Sequence, residues 1–307
     1  MKNNKVIASI DMIVSKTFSG FNMNALKYLL PTWMAPLTGV TLRVVFGAIA
    51  FWIIGLFIHN EPETSYKQKG LMFLLGAAGI YGYMSTYLVG LNYTTPVSSS
   101  IILALIPIWV FLLTLIFFSE TWSVLKGIGL FIGLSGAVLS MLSKRDPTLA
   151  SNPLLGDSIT LISSFIYALY IIFSKQLLKR VGIFTLIKWT FTGASCVAVI
   201  VNVFSGFDAP VLSRPLHITP FLVLLFVLIF PTVLSYVLLP YGIKYLKPTV
   251  VAMYGYIVII VATITALLLG QDKFNLTQLF SIILLCIGVY LVETAESAKS
   301  SKNKSKE

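Results

Sequence analysis

The chain has 307 residues, 57% hydrophobic and only 11% charged, with a formal net charge of +11. A soluble domain carries about a quarter charged residues, so this chain cannot cover a water-facing surface. A soluble enzyme, a disordered chain and a disulfide-stapled secreted protein are excluded, which leaves a polytopic membrane protein.

Apolar runs of about 20 residues mark spanning helices. Ten are predicted, at 5–29, 34–58, 69–91, 95–118, 123–142, 154–177, 182–205, 218–242, 248–270 and 275–293. Loop chemistry separates them, for example Pro31 with Pro36, 143–153 and 205–215. The first run is interrupted by Asp11, Lys16, Asn22, Asn24 and Lys27 and lacks a small-x-small cleavage site. It therefore reads as a span rather than a signal peptide. The Lys/Ser-rich stretch 296–307 is expected to be a disordered basic tail.

Two cysteines, Cys196 and Cys286, and two histidines, His59 and His217, suggest no disulfide framework and no metal site. No phosphate-cradling glycine loop, Gly-x-Ser-x-Gly elbow or paired acidic motif occurs, so neither an enzyme nor a cofactor is expected. The positive charges carry topology. With the N-terminus inside, inner segments hold Lys2, Lys5, Lys67, Lys69, Lys126, Lys175, Lys179, Arg180, Lys244 and Lys247, and the tail adds more. Outer segments hold only Lys144, Arg145, Arg214 and Lys273. This bias places both termini in the cytoplasm of an inner or plasma membrane, and gives the charge a role other than nucleic-acid binding.

The chain repeats itself. A shift of 152 lays Gly90, Tyr93 and Pro96 on Gly242, Tyr245 and Pro248, Glu120 on Asp272, and Gly136 on Gly288. A shift of 148 lays Ser15 on Ser163 and Lys27 on Lys175. Five spans per half is odd, so the second half enters the membrane from the opposite side. Inverted repeats characterise secondary transporters, with the site near the midplane between the halves.

The segments Gly20-Phe21-Asn22 with Lys27, Pro36 with Arg43, and Leu91 to Pro96 leading into Pro107 stand in this order, followed by Glu120 with Gly127 and Gly136. Gly156-Asp157, Ser235-Tyr236 and Lys244 to Pro248 follow in the second half. In this the sequence resembles the EamA-like permeases of the drug/metabolite transporter superfamily. The resemblance implies two inverted five-helix repeats, here 1–145 and 146–295, around a central cavity between spans 1, 3, 4, 6, 8 and 9. It also implies ATP-independent movement of small organic solutes, often outward. Ser19, Ile259 and Asp272 depart from the family pattern, where an aromatic, a proline and a glutamate are usual.

Candidate site residues follow from polar stripes. At about 100° per residue, Asp11, Ser15, Ser19 and Asn22 share one face of the first span. Ser163, Tyr167, Tyr170 and Ser174 share one face of the sixth. The first stripe lines either a cavity or helix–helix contacts, and the tyrosines of the second line either a cavity or an interfacial belt. Tyr83 and Tyr87 share a face of the third span, and Ser100 and Pro107 one of the fourth; Pro231 with Ser235, and Tyr256, add candidates in spans eight and nine. Asp11, Lys16 and Arg43 are intramembrane charges: Asp11 reads as a proton-coupling site or amine anchor and Lys16 or Arg43 as a carboxylate anchor, or else they form a structural ion pair or Asp11 snorkels to the inner interface. Pro107 and Pro231 free the carbonyls of Leu103 and Val227 and are candidate hinges.

The sequence thus predicts a secondary transporter, monomeric or homodimeric, for a small metabolite or amino-acid-like solute. It leaves open a nucleotide-sugar or lipid-precursor transporter and a non-transporting assembly or sensor subunit.

Overall fold

The computed structural model describes residues 2–30, 32–58, 62–118, 123–142, 146, 148–213, 215–246, 254–273 and 275–304. Among them every regular element is helical. In chain order these are α1 (Lys2–Leu29), α2 (Pro36–Leu56), α3 (Tyr66–Leu75, Gly76–Tyr81, Gly82–Tyr93), α4 (Pro96–Leu103 and Ile106–Phe118) and α5 (Val124–Leu142). They continue with α6 (Pro153–Leu177), α7 (Ile183–Ser205), α8 (Ile218–Val227, Leu228–Leu234, Ser235–Tyr245), α9 (Gly255–Leu268) and α10 (Leu276–Lys304).

Local chemistry sets the helix starts. Prolines open α2, α4 and α6 at first-turn positions, where a missing N–H costs nothing. Ser65 and Gln68 form a capping box on α3. Asn275 Oδ1 accepts from the Thr277 N–H at 2.8 Å at the start of α10. Asp272, an anion at the same turn, accepts from the adjacent Lys273 N–H at 2.8 Å and from Gln278 Nε2 of the first turn of α10 at 3.5 Å. Glu120, its expected counterpart, lies outside the described residues.

Seven helices, α2 to α8, are long and apolar enough to cross a membrane. The remaining three expected spans fall short among the described residues. The charges of α1 hold its hydropathy down, while α9 and α10 offer the shorter apolar stretches Ile257–Leu268 and Leu276–Gly288. Outward faces are apolar, as lipid requires: Leu56, Phe131, Val203 and Phe204 are all exposed. α10 runs on to Lys304, through most of the stretch expected to be disordered. Extending an existing helix needs no new nucleus.

α3 and α8 each contain a π-helical turn, over Gly76–Tyr81 and Leu228–Leu234. Their starts are 152 residues apart, the offset of the repeat. Such turns carry one extra residue and rotate the face that follows. α4 breaks at Ala104–Leu105, directly before Pro107, whose ring cannot continue the hydrogen-bond ladder.

Glycines let helix pairs touch. A Cβ on Gly76 would overlap the Thr190 carbonyl of α7, and one on Gly193 would overlap the Phe73 carbonyl of α3. In the α5–α10 pair, Gly136 lies over Ser281 and Leu285, and Gly288 lies over Gly129 and Gly133. Later residues of one helix meet earlier residues of the other, so this pair runs antiparallel. α2 and α7 also run antiparallel: Thr38 meets Asn202, Thr41 meets Ala198, and Val44 meets Ser195.

Outside the membrane-spanning segments, Lys273 Nζ lies 2.6 Å from Asp146 Oδ2. Hydrogen bonds from Lys273 and then Thr148 hold the Asp146 carboxyl well below the usual carboxylate range. The same contact raises Lys273.

Candidate functional site

A tyrosine cluster occupies the interior where α2, α3, α6, α7 and α8 meet. Ring centroids step from Tyr87 to Tyr83 (6.0 Å), from Tyr83 to Tyr167 (4.4 Å) and from Tyr167 to Tyr170 (5.9 Å). Tyr236 of α8 adds a further phenol and packs edge-on to Phe191 at 4.9 Å. Tyr87, Tyr167, Tyr170 and Tyr236 are buried and Tyr83 is half-buried. Ser174 Oγ, one turn beyond Tyr170 on α6, is buried with no hydrogen-bond partner. The Tyr87 hydroxyl is buried with no hydrogen-bond partner.

Arg43 of α2 is 3% exposed and lies about 10 Å along the helix from Pro36. Its Nε donates to Thr232 Oγ1 at 3.0 Å. The guanidinium is in electrostatic reach of Tyr83, Tyr87 and Tyr236. Thr232 in turn donates its proton to the Val227 carbonyl at 2.8 Å. Pro231 lacks the N–H that would have bonded that carbonyl. The proline expected as a hinge therefore sits in the scaffold that holds Thr232 against Arg43.

The expected polar stripes face inward but spend much of their hydrogen bonding on helix contacts. Ser163 Oγ donates to the Tyr83 carbonyl at 2.9 Å. Ser15 Oγ donates to the Ser235 carbonyl at 3.3 Å, and Ser235 Oγ returns a bond to Ser15 O at 3.4 Å. Ser19 and Ser100 bond back to carbonyls of their own helices. Asn22 is buried and its Oδ1 has no partner. Tyr256's side chain lies outside the described residues. Asp11 and Lys16 are partly exposed, and among the described residues neither pairs with the other or with Arg43.

Contacts in the two halves correspond through the sequence offsets. Ser163 and Tyr83 become Ser15 and Ser235 when 148 and 152 are subtracted and added. Thr160 packs on Gly90, and Met12, the counterpart of Thr160, packs on Gly242, the counterpart of Gly90.

Two features were missed from sequence. Tyr236 joins the cluster beside Ser235, which faces α1; a π-turn just before them shifts the helical register. Asp157 was quoted only as a motif residue. It is fully buried, and its Oδ1 accepts from Thr94 Oγ1 at 2.6 Å and Ser98 Oγ at 2.8 Å. The signal was available: a carboxylate at the fourth residue of the predicted sixth span, 154–177, opposite a Thr/Ser-rich junction. Lys27, another intramembrane cation, donates to the carbonyls of Leu91, Asn92 and Thr94 and so caps α3.

A cavity of about 660 Å³ lies away from the phenols on the α2–α7 flank, lined by Leu42, Phe46, Val199, Asn202, Phe207 and others. No charged residue lines it. 

An all-helical bundle with an apolar exterior and a buried arginine among phenols has the build of a membrane transporter. The profile of the EamA-like transporter family matches residues 7–142 and again 154–294, and the chain belongs to that family. An uncharacterized transporter of Bacillus subtilis, YyaM, is 23% identical over 89% of this chain and 88% of its own length. YcbK of the same organism, also an uncharacterized transporter, is 26% identical over 86% and 84%. An uncharacterized transporter of Archaeoglobus fulgidus is 25% identical over 80% and 81%. A protein crystal structure 14% identical in sequence covers 95% of this chain and 96% of its own, with a TM-score of 0.63; it speaks for the fold alone.

Proposed function

We propose that this chain is a secondary transporter with ten membrane crossings in two inverted five-helix halves. It moves a small organic metabolite or amino-acid-like solute by alternating access around the tyrosine cluster. The observation that carries the reading is the recurrence of the Ser163–Tyr83 contact as Ser15–Ser235 on either side of a polar interior.

Further packing supports it. Exchanging each helix for the one five later turns the α3–α6 pair into α8–α1, α4–α6 into α9–α1, and α3–α7 into α8–α2, and all six pairs are in contact. The antiparallel courses of α2 with α7 and of α5 with α10 are what inversion requires. The charge bias places both termini in the cytoplasm. Outward flux is the direction the family resemblance favours. Proton coupling rests on Asp11, a carboxylate in α1 that no ion pair occupies among the described residues.

Proteoliposomes loaded with a metabolite mixture test transport. Efflux of at least one small solute above protein-free vesicles is expected. No flux of any solute, with or without a pH gradient, overturns the reading. Asp11→Asn is expected to flatten the pH dependence; unchanged flux at every pH removes the coupling role. A cysteine introduced at Glu63 should react with impermeant reagent only from the cytoplasmic side, and one at Thr148 only from outside.

A further inference from the structure

The guanidinium of Arg43 is under-used by the protein. Arg carries five N–H donors and cannot be neutralised at physiological pH. One donor is engaged, Nε with Thr232. Among the described residues no carboxylate pairs with it. A permanent charge inside a spanning helix costs several kcal/mol unless a partner offsets it.

A second, independent observation lies on α3, which packs against α2. The Tyr87 side chain is 1% exposed, its hydroxyl has no partner, and it is in electrostatic reach of the same guanidinium. A buried phenol ordinarily finds a hydrogen-bond partner. A stranded donor beside an uncompensated cation describes the vacant half of an anion site. The arrangement is also held in place. The Val227 carbonyl, freed by Pro231, takes the Thr232 proton, which turns the Thr232 oxygen lone pair toward Arg43 Nε. That contact leaves the terminal edge of the guanidinium, one N–H from each NH2 group, as a planar fork suited to two oxygens at once.

We propose that Arg43 and Tyr87 form a docking site for the carboxylate of an aromatic or apolar organic acid, whose body lies along Tyr83, Tyr167 and Tyr236. This rests on the transporter reading above and adds to it the charge class of the substrate. Pro231 and Thr232 are positioning residues.

The test uses the full-length protein in lipid nanodiscs and a charge series on one ring: benzoate, benzyl alcohol, benzylammonium and phenyl phosphate. Binding is read by calorimetry and by the shift in unfolding temperature. Benzoate is expected to bind and to raise the unfolding temperature, with the alcohol and the amine at least tenfold weaker. Arg43→Gln should weaken benzoate about tenfold or more, since hydrogen bonds to charged groups contribute about 1.5–3 kcal/mol. Tyr87→Phe keeps the ring and the packing and should weaken it by about three- to tenfold. It decides the matter if Arg43→Gln does not fold. Equal binding of all four probes, absence of benzoate binding, or undiminished benzoate binding in Tyr87→Phe overturns the site. Preference for phenyl phosphate over benzoate overturns the carboxylate assignment. The two readings fail separately. Arg43-dependent benzoate binding without vesicle flux sinks transport alone, while flux confined to neutral or cationic solutes sinks the anion site alone.

Discussion

On the α3–α6 face, Ser163 reaches the Tyr83 carbonyl and Thr160 packs over Gly90; on the α1–α8 face, Ser15 reaches the Ser235 carbonyl and Met12 packs over Gly242. The backbone arrangement is the same, and the chemistry filling it is not. Tyr83, Tyr87, Tyr167 and Tyr170 on the first face correspond to Ser235, Leu239, Ser19 and Asn22 on the second. One wall is built of phenols and the other of two serines, a leucine and an asparagine. The first face also holds the buried Asp157 between Thr94 and Ser98, whereas the counterpart of Asp157 is Ser9. Contacts made through backbone carbonyls and glycines tolerate side-chain divergence, so the duplicated frame persists while the interior becomes lopsided. A lopsided interior suits a solute with unlike ends.

Seven substitutions, in four groups, probe that frame. The largest effect is expected at the closest approach. Gly76→Val drives a side chain into the Thr190 backbone, which cannot rotate away. Its cost should stand at the top of the roughly 1–3 kcal/mol range for overpacking, read as loss of folded protein in detergent. Gly70→Ala, where nothing lies within 4 Å, should instead stabilise by about 0.5–1 kcal/mol. Equal behaviour of the two would remove the α3–α7 contact from the account.

Next is Asp157→Ala, which leaves the Thr94 and Ser98 hydroxyls without this acceptor. A loss of about 1–3 kcal/mol in unfolding free energy is expected. Ser9→Ala, its counterpart, should stay within about 0.5 kcal/mol. A matched pair of effects would mean the two faces are energetically alike after all.

Smaller still is the serine pair. Ser163→Ala should cost about 1 kcal/mol, and Ser15→Ala about half as much, because hydrogen bonds inside membrane bundles contribute modestly and the Ser15 bond is longer. Reversal of that order would show that the reciprocal Ser235 bond dominates.

The smallest effect is expected at the exposed Lys273–Asp146 contact. Lys273→Ala should leave the unfolding temperature within measurement scatter at neutral pH. Any contribution follows the titration of both partners. Asp146 is depressed, so its share is present above its unfolded value of about 3.9 and fades as pH falls. Lys273 is raised, so its share is present below about 10.4 and fades as pH climbs through the folded value. Any small gap between wild type and Lys273→Ala should therefore begin to narrow as pH falls below about 4, and a gap that widens there contradicts the assignment.

Composition and run lengths determined the membrane class, because lipid permits no other exterior for this chain. Offsets of 148 and 152 determined which residues correspond, because duplication leaves a register that survives divergence. Ser15, Ser163 and the tyrosine faces were legible for a related reason: helical periodicity places polar groups on one stripe, and lipid forces that stripe inward. Only the tertiary structure decided what each inward group does. Ser15 and Ser163 tie helices together, Lys27 caps a neighbouring helix, and Asp157 takes two hydroxyls from a different half of the chain. Such pairings join residues 59–220 positions apart, and no one-dimensional pattern encodes them. Tyr236 turned inward because a π-turn adds a residue to the helical count, and Arg43 met Thr232 because α2 packs against the π-turn of α8. Local periodicity is a property of the chain, whereas the partner of a buried charge is a property of the packing.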